Sequence, residues 1–177
     1  FIAKSPLIYE WAFLIFRKMK YARLTKEQFE EMHQEFINFL ATQSITGEEW
    51  GKIKKEQPKV AEDEMDLFSD LVWEGVLNKV EYLEHFSPNQ VFLFYISEVT
   101  INLIAIKVDN ESVDITTREG YQWLQTNLMN EMVNIYTSSK ALSEDRNKDI
   151  FALIKQGANI TKGELYAYFK DIVDKDA

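Results

Sequence analysis

The stretch VEYLEHFSPNQVFLFYISEVTINLIAIKV (residues 80–108) decides the fold class of this chain. Three runs within it are rich in β-branched and aromatic side chains, which favour strands: residues 80–86, 91–96 and 99–108. Turn residues separate the first two runs, and a short Ser-Glu connection separates the last two. Strands with such short links predict an antiparallel meander. The later runs are almost continuously apolar, so we expect other parts of the chain to cover both faces of this sheet in part.

Helical patterns precede the meander. Residues 25–28 and 46–49 both show the capping-box pattern, in which a Thr and a Gln or Glu three residues later satisfy the N–H groups at a helix start. Apolar side chains then recur at helical spacing, which predicts one helix over residues 25–42 and another over 58–78 that begins at Pro58. A short helix is expected between them.

After the meander, helices alternate with one more strand. A capping box at residues 116–119 predicts a helix, and residues 132–137 predict a fourth strand. Ser143 is the expected N-cap of a further helix that ends at Gly157, and Thr161 is expected to open the last helix.

This order of elements predicts an α+β fold. It has a helical N-terminal portion, an antiparallel three- to four-stranded sheet, and C-terminal helices packed on that sheet. No Gly-, Ser- or Pro-rich linker divides the chain, so residues 21–177 are expected to form a single α+β domain with a helical lobe and a sheet-bearing lobe.

The composition narrows the function classes. The chain has 177 residues, a net charge of −9 and no cysteine. Absence of cysteine excludes disulfide scaffolds, thiolate metal sites and cysteine nucleophiles, and it fits a cytoplasmic location. Basic side chains are concentrated in the first 24 residues, so the rest of the chain is strongly acidic and would repel a phosphate backbone. We therefore expect no nucleic-acid partner.

Residues 1–20 form an apolar and basic N-terminal extension. Their apolar run, residues 7–16, is too short to span a bilayer, and its basic flank follows the run, unlike that of a signal peptide. Met19 is a plausible natural start, which would make the preceding residues an upstream extension. The alternative is an amphipathic anchor, so membrane attachment is expected only if residues 7–20 provide it.

No catalytic constellation is visible. The two histidines, His33 and His85, lack the further ligands that a zinc site needs. The six glycines are scattered, so neither phosphate-binding loop can be built from them. We therefore predict no catalytic residues, no metal ligands and no cofactor.

Residues 137–149 are the most polar stretch, and they give one candidate site. If they form a strand-to-helix junction, Lys140, Ser143 and Arg146 could bind an anion at the helix start. The alternative is a capped, solvated helix start without a ligand, which the acidic side chains of its first turn favour.

Aromatic residues give a second candidate. The chain has more large aromatic side chains than a small core usually needs. We therefore select three of them as candidates: Trp73, Tyr82 and Tyr95. They could mark a protein interface. A large aromatic core is the alternative.

From residue 21 to 172 the chain resembles a small uncharacterised bacterial protein family, a domain of unknown function. The resemblance rests on five stretches: residues 24–28, 35–46, 68–78, 143–150 and 160–166. It implies no activity, cofactor or catalytic residue. It also implies that family members begin near Met19.

These observations lead to two hypotheses. The first is a non-catalytic acidic protein-interaction or regulatory module, whose partner is an unknown protein or a second copy of the chain. The alternative is an enzyme that acts on a small anionic substrate at residues 137–149.

Overall fold

The computed structural model describes residues 19–176, and their contacts form two compact units that divide between Val76 and Leu77. Residues 1–18, most of the predicted N-terminal extension, lie outside the described residues. The single domain over residues 21–177 stays a prediction. The described part contains seven helices and five strands, which confirms the α+β class.

The first unit is helical. Its helices are α1 (Lys26–Glu31), α2 (His33–Thr42), α3 (Gly47–Glu56) and most of α4 (Pro58–Leu77). Both predicted capping boxes are present, at Thr25 and Thr46. The predicted helix over residues 25–42 is interrupted at Met32, whose backbone leaves the helical conformation and separates α1 from α2.

Aromatic rings that meet edge to face pack together in this unit. The Phe36 ring lies 5.5 Å from Phe29, 5.3 Å from Trp50 and 5.1 Å from Phe68, all in edge or tilted geometry. Such ring pairs add to the free energy of burying the rings, because the positive edge of one meets the negative face of another. These four aromatic side chains of the first unit therefore pack on one another.

The Asp70 carboxylate of α4 fixes the residues that precede α1. It accepts hydrogen bonds from the backbone N–H of Lys20 at 2.7 Å and of Tyr21 at 2.9 Å. Asp70 is buried. A buried charge is costly unless it is hydrogen-bonded, and two charge-assisted bonds offset that cost here.

Two further α4 side chains hold the same stretch. The Ser69 hydroxyl accepts a bond from the Leu24 N–H at 3.1 Å, and the Trp73 ring N–H donates to the Ala22 carbonyl at 3.0 Å. Residues 20–24 are thus bound along α4 through their backbone.

Glu64 is a second buried carboxylate of α4. Burial raises its pKa, the negative charge of Asp63 raises it further, and a hydrogen bond from the Gln43 amide at 2.8 Å lowers it in part.

The second unit is built on a five-stranded antiparallel sheet. The strands are β1 (Tyr82–Ser87), β2 (Gln90–Ile96), β3 (Thr100–Val108), β4 (Val133–Ala141) and β5 (Asn159–Thr161), in the spatial order β4-β3-β2-β1-β5. The predicted meander is confirmed. The predicted strand count was too low because β5 has only three residues, and β4 extends to Ala141 instead of ending near Thr137.

Helices cover the two faces of the sheet unequally. They are α5 (Arg118–Thr126), α6 (Arg146–Lys155) and α7 (Glu164–Asp176). Leu124 of α5 and Phe169 of α7 join Leu93 and Ile104 of the sheet in the main core. On the other face, Leu153 of α6 borders a cavity with Phe94 and Leu103.

Three predicted helix starts were wrong. Thr161 lies in β5, and α7 begins only at Glu164. Thr117, not Thr116, caps α5 and accepts a bond from the Gly120 N–H. Asp145, not Ser143, caps α6. Gly157 follows the end of α6 with a φ of 100°, which confirms the predicted C′ glycine.

Replacing Asp70 by Ala should lower the free energy of unfolding by about 2 kcal/mol or more, because two N–H donors lose a charged acceptor. Urea unfolding measures this. The exposed Glu62→Ala change on the same helix is the control and should stay within about 0.5 kcal/mol of wild type. Equal losses for both variants would contradict the role of Asp70.

Glu64→Gln should stabilise the protein at pH 7 and have little effect near pH 4. The pKa of Glu64 is raised in the folded protein. The contribution of Glu64 to the free energy of unfolding is therefore fully present below its unfolded pKa of about 4.3, and it is lost as the pH rises through the folded pKa. Gln cannot ionise and can still accept from Gln43. Urea unfolding at both pH values tests this, and a pH-independent difference would refute it.

Candidate functional site

The free edge of β4 is the most distinctive surface of the second unit. Within the described residues, β4 pairs with β3 alone. The Leu142 N–H donates to the Val99 carbonyl and the Asp109 N–H to the Met132 carbonyl, at the two ends of this pairing. Antiparallel partners alternate between bonded and non-bonded pairs, so even-numbered β4 residues bond to β3. Odd-numbered ones direct their backbone groups outward.

The outward groups form one row. The Val133 N–H is satisfied by the Asn130 carbonyl in the turn before β4. Four N–H groups remain in the row, and they belong to Ile135, Thr137, Ser139 and Ala141. Among residues 19–176, these groups and the carbonyls of the same residues have no strand partner, so another strand could pair with them.

Among residues 19–176, this edge has few of the usual protective features, of which Lys140 is one. Proteins block exposed edges with proline, bulges or inward charges. The β3–β4 register runs without a break from Thr100–Ala141 to Val108–Val133, so it contains no bulge. Lys140 is the only charged residue of β4, and the strand contains no proline.

Exposed apolar side chains lie beside the edge. Met129, in the connection before β4, is 85% exposed, and Met132 is 41% exposed. Tyr136, within β4, is 55% exposed. Exposed methionine and tyrosine are common at protein-binding surfaces, where their large side chains contribute contact area.

Of the predicted anion-binding residues, Arg146 uses both terminal guanidinium nitrogens for hydrogen bonds within the fold. Its guanidinium donates to the carbonyls of Leu77 at 3.0 Å and Val80 at 2.6 Å. Asn147 supports this contact by donating to the Asn78 side chain at 2.7 Å. Arg146 therefore ties the start of α6 to the chain that leaves α4, as basic side chains often do at helix ends.

The other two predicted residues do not converge on Arg146. Lys140 lines a cavity of about 340 Å³ that also includes Asp149, whereas Arg146 borders a different cavity. The Ser143 N–H donates to the Asp149 carboxylate at 2.7 Å, so an acidic group already occupies that donor.

The predicted interface residues all pack internally. Trp73 bonds to Ala22. Tyr82 and Tyr95 are paired across β1 and β2 with ring centroids 5.2 Å apart, and each also packs on Tyr166 of α7. The sequence did not identify the β4 edge. The pattern that could have indicated this edge is the run of uncharged residues from 133 to 139.

Neither histidine lies in a metal site. His33 is paired through Nδ1 with the Glu30 carbonyl, and His85 with the Gly157 carbonyl. Across residues 19–176 no cluster of three or more acidic or histidine side chains is placed to hold a metal ion. In the same part of the chain, every helix is too short or too polar to cross a bilayer.

Replacing Arg146 by Ala should lower the free energy of unfolding by about 1–3 kcal/mol, because two carbonyls lose a charged donor. Lys should restore only part of this, since it lacks the planar fork that reaches both. Lys148→Ala, an exposed neighbour on α6, is the control. Urea unfolding measures all three. Equal stability of the Arg146→Ala and Lys148→Ala proteins would show that Arg146 is not structural.

Comparison with known proteins identifies the family of the chain. No curated protein and no solved structure matches the chain significantly. A family model described as a family of unknown function, DUF6495, matches residues 19–174. That range starts at Met19, near which family members are expected to begin, and it covers both units. The chain therefore belongs to the DUF6495 family.

Proposed function

We propose that this protein is a non-catalytic interaction module and that the free edge of β4 is its binding element. The observation that carries the proposal is the row of outward N–H and carbonyl groups on a regular nine-residue strand. An extended segment of a protein can satisfy such a row by adding a strand to the sheet.

A second copy of the chain is the partner that the charges favour. The chain has a net charge of −9, so most of its surface would repel another copy. The β4 strand has no acidic residue and one lysine, so two copies can approach along this exposed edge without repulsion.

The sequence of β4 allows a symmetric pairing. If a two-fold axis passes beside Tyr136, the outward groups of Ile135 bond to those of Thr137 in the other copy. The two Tyr136 rings then face each other, and Lys140 lies opposite Met132 rather than opposite its own equivalent. This register contains no like-charge pair and covers two exposed apolar side chains.

The alternative, an enzyme acting on an anion at residues 137–149, has less support. It requires Lys140 and Arg146 to converge, yet Arg146 donates to two backbone carbonyls and the two side chains border different cavities. A cytoplasmic location remains part of the proposal. It is supported by the absence of cysteine from the sequence.

Thr137→Pro should abolish self-association, because it removes an outward N–H without touching the bonds to β3. Light scattering over a range of protein concentrations measures the mass. Thr137→Val keeps the N–H and should associate like wild type. Tyr136→Lys places like charges beside the axis and should also give a monomer, even if the proline variant fails to fold. A wild-type chain that stays monomeric at every concentration would refute the second copy as partner.

A further inference from the structure

The opposite end of the sheet from β4 contains a cleft that the proposed interaction does not use. Side chains alternate between faces along a strand, and Tyr82 and Phe86 of β1 both pack against the core. Glu84, between them, therefore faces the same side. It lines a cleft of about 480 Å³, called here the Glu84 cleft, with seven other residues: Phe86, Tyr121, Thr161, Lys162, Glu164, Leu165 and Tyr168.

Glu84 has no counter-ion in the described part of the chain. Its carboxylate accepts a hydrogen bond from the Thr161 hydroxyl at 3.2 Å. Among the ion pairs of residues 19–175, none involves Glu84. A half-buried carboxylate without a counter-ion attracts a cationic ligand more strongly than a fully solvated one does.

Aromatic rings line the same cleft as this carboxylate. Phe86 and Tyr121 meet edge to face with centroids 6.2 Å apart, and Tyr168 lines the same cleft. The faces of such rings attract organic cations. Burial raises the pKa of Tyr121, and the negative charge of Glu84 raises it further, so the Tyr121 hydroxyl stays neutral.

An apolar groove continues from the cleft. It has a volume of about 210 Å³ and shares the walls Tyr121, Leu165 and Tyr168 with the Glu84 cleft. Its remaining lining is mainly apolar: Leu124, Gln125, Leu128 and Phe169. A ligand could therefore place a charged group beside Glu84 and an apolar group in the groove.

We propose that the Glu84 cleft binds a small organic amine with an apolar tail. Glu84 neutralises the ammonium group, the rings of Phe86, Tyr121 and Tyr168 contact it, and the tail enters the groove. Lys162, which is exposed, lies on the rim and repels the cation weakly. The site does not depend on the β4 edge, which is at the other side of the sheet.

The test uses 2-phenylethylammonium as the probe and the full chain labelled with ¹⁵N for NMR. Saturable shift changes should occur for residues of α5, β1 and α7 that border the cleft. Glu84→Gln should weaken binding about tenfold or more, because the charge-assisted contact is lost. Glu81→Gln, an exposed acid just before β1, is the matched control and should bind like wild type.

Two further measurements make the outcome decisive. The neutral 2-phenylethanol should bind much more weakly than the amine. Lys162→Glu, an exposed change that should not disturb folding, should strengthen amine binding several-fold by adding negative charge at the rim. The proposal fails if the amine causes no saturable shifts at the cleft, if the alcohol binds equally well, or if Glu84→Gln and Glu81→Gln bind alike. Amine binding at the Glu84 cleft and self-association through β4 are measured independently, by NMR and by light scattering. Either proposal can therefore fail without the other.

Discussion

The alternation of hydrogen-bonding direction in an antiparallel strand determines what this sheet exposes. Even-numbered residues of β3 bond to β2, and odd-numbered residues bond to β4. The hydrogen bond from the Val108 N–H to the Asn89 carbonyl, at the end of the β2–β3 pairing, shows this direction. Once β3 is satisfied on both sides, half of the backbone groups of β4 must point away from the sheet. The next element, α6, covers a face and cannot satisfy an edge. The outward row is therefore a consequence of the topology, whatever side chains β4 has.

The alternation of side chains has a parallel effect at the other end of the sheet. Because Tyr82 and Phe86 face the core, the residue between them must face it too, and that residue is Glu84. A one-residue slip of β1 would turn Glu84 to the opposite face but would also remove both rings from the core. Gly163 reinforces this register. A side chain there would lie 2.4 Å from the Tyr82 ring, so glycine allows the start of α7 to approach Tyr82 closely.

Local signals in the sequence predicted much of the fold. The capping boxes at Thr25 and Thr46, the start of α4 at Pro58 and the three-stranded meander depend on contacts within a few residues, and all are present. The errors concern features decided at long range. The strand β5 has three residues and pairs with β1, which lies far away in sequence, and β4 is extended by its pairing with β3 along nine residues. No local pattern encodes either pairing.

The candidate sites show the same division. Lys140, Ser143 and Arg146 have the chemistry of an anion site, but residue type does not reveal competing acceptors inside the fold. The carbonyls of Leu77 and Val80, more than sixty positions away, accept the Arg146 guanidinium, and Asp149 accepts the Ser143 N–H. Glu84 is the converse case, since nothing in its sequence neighbourhood distinguishes it from other surface acids. Only the face of β1 on which it lies, and the absence of a basic partner among the described residues, make its charge available to a ligand.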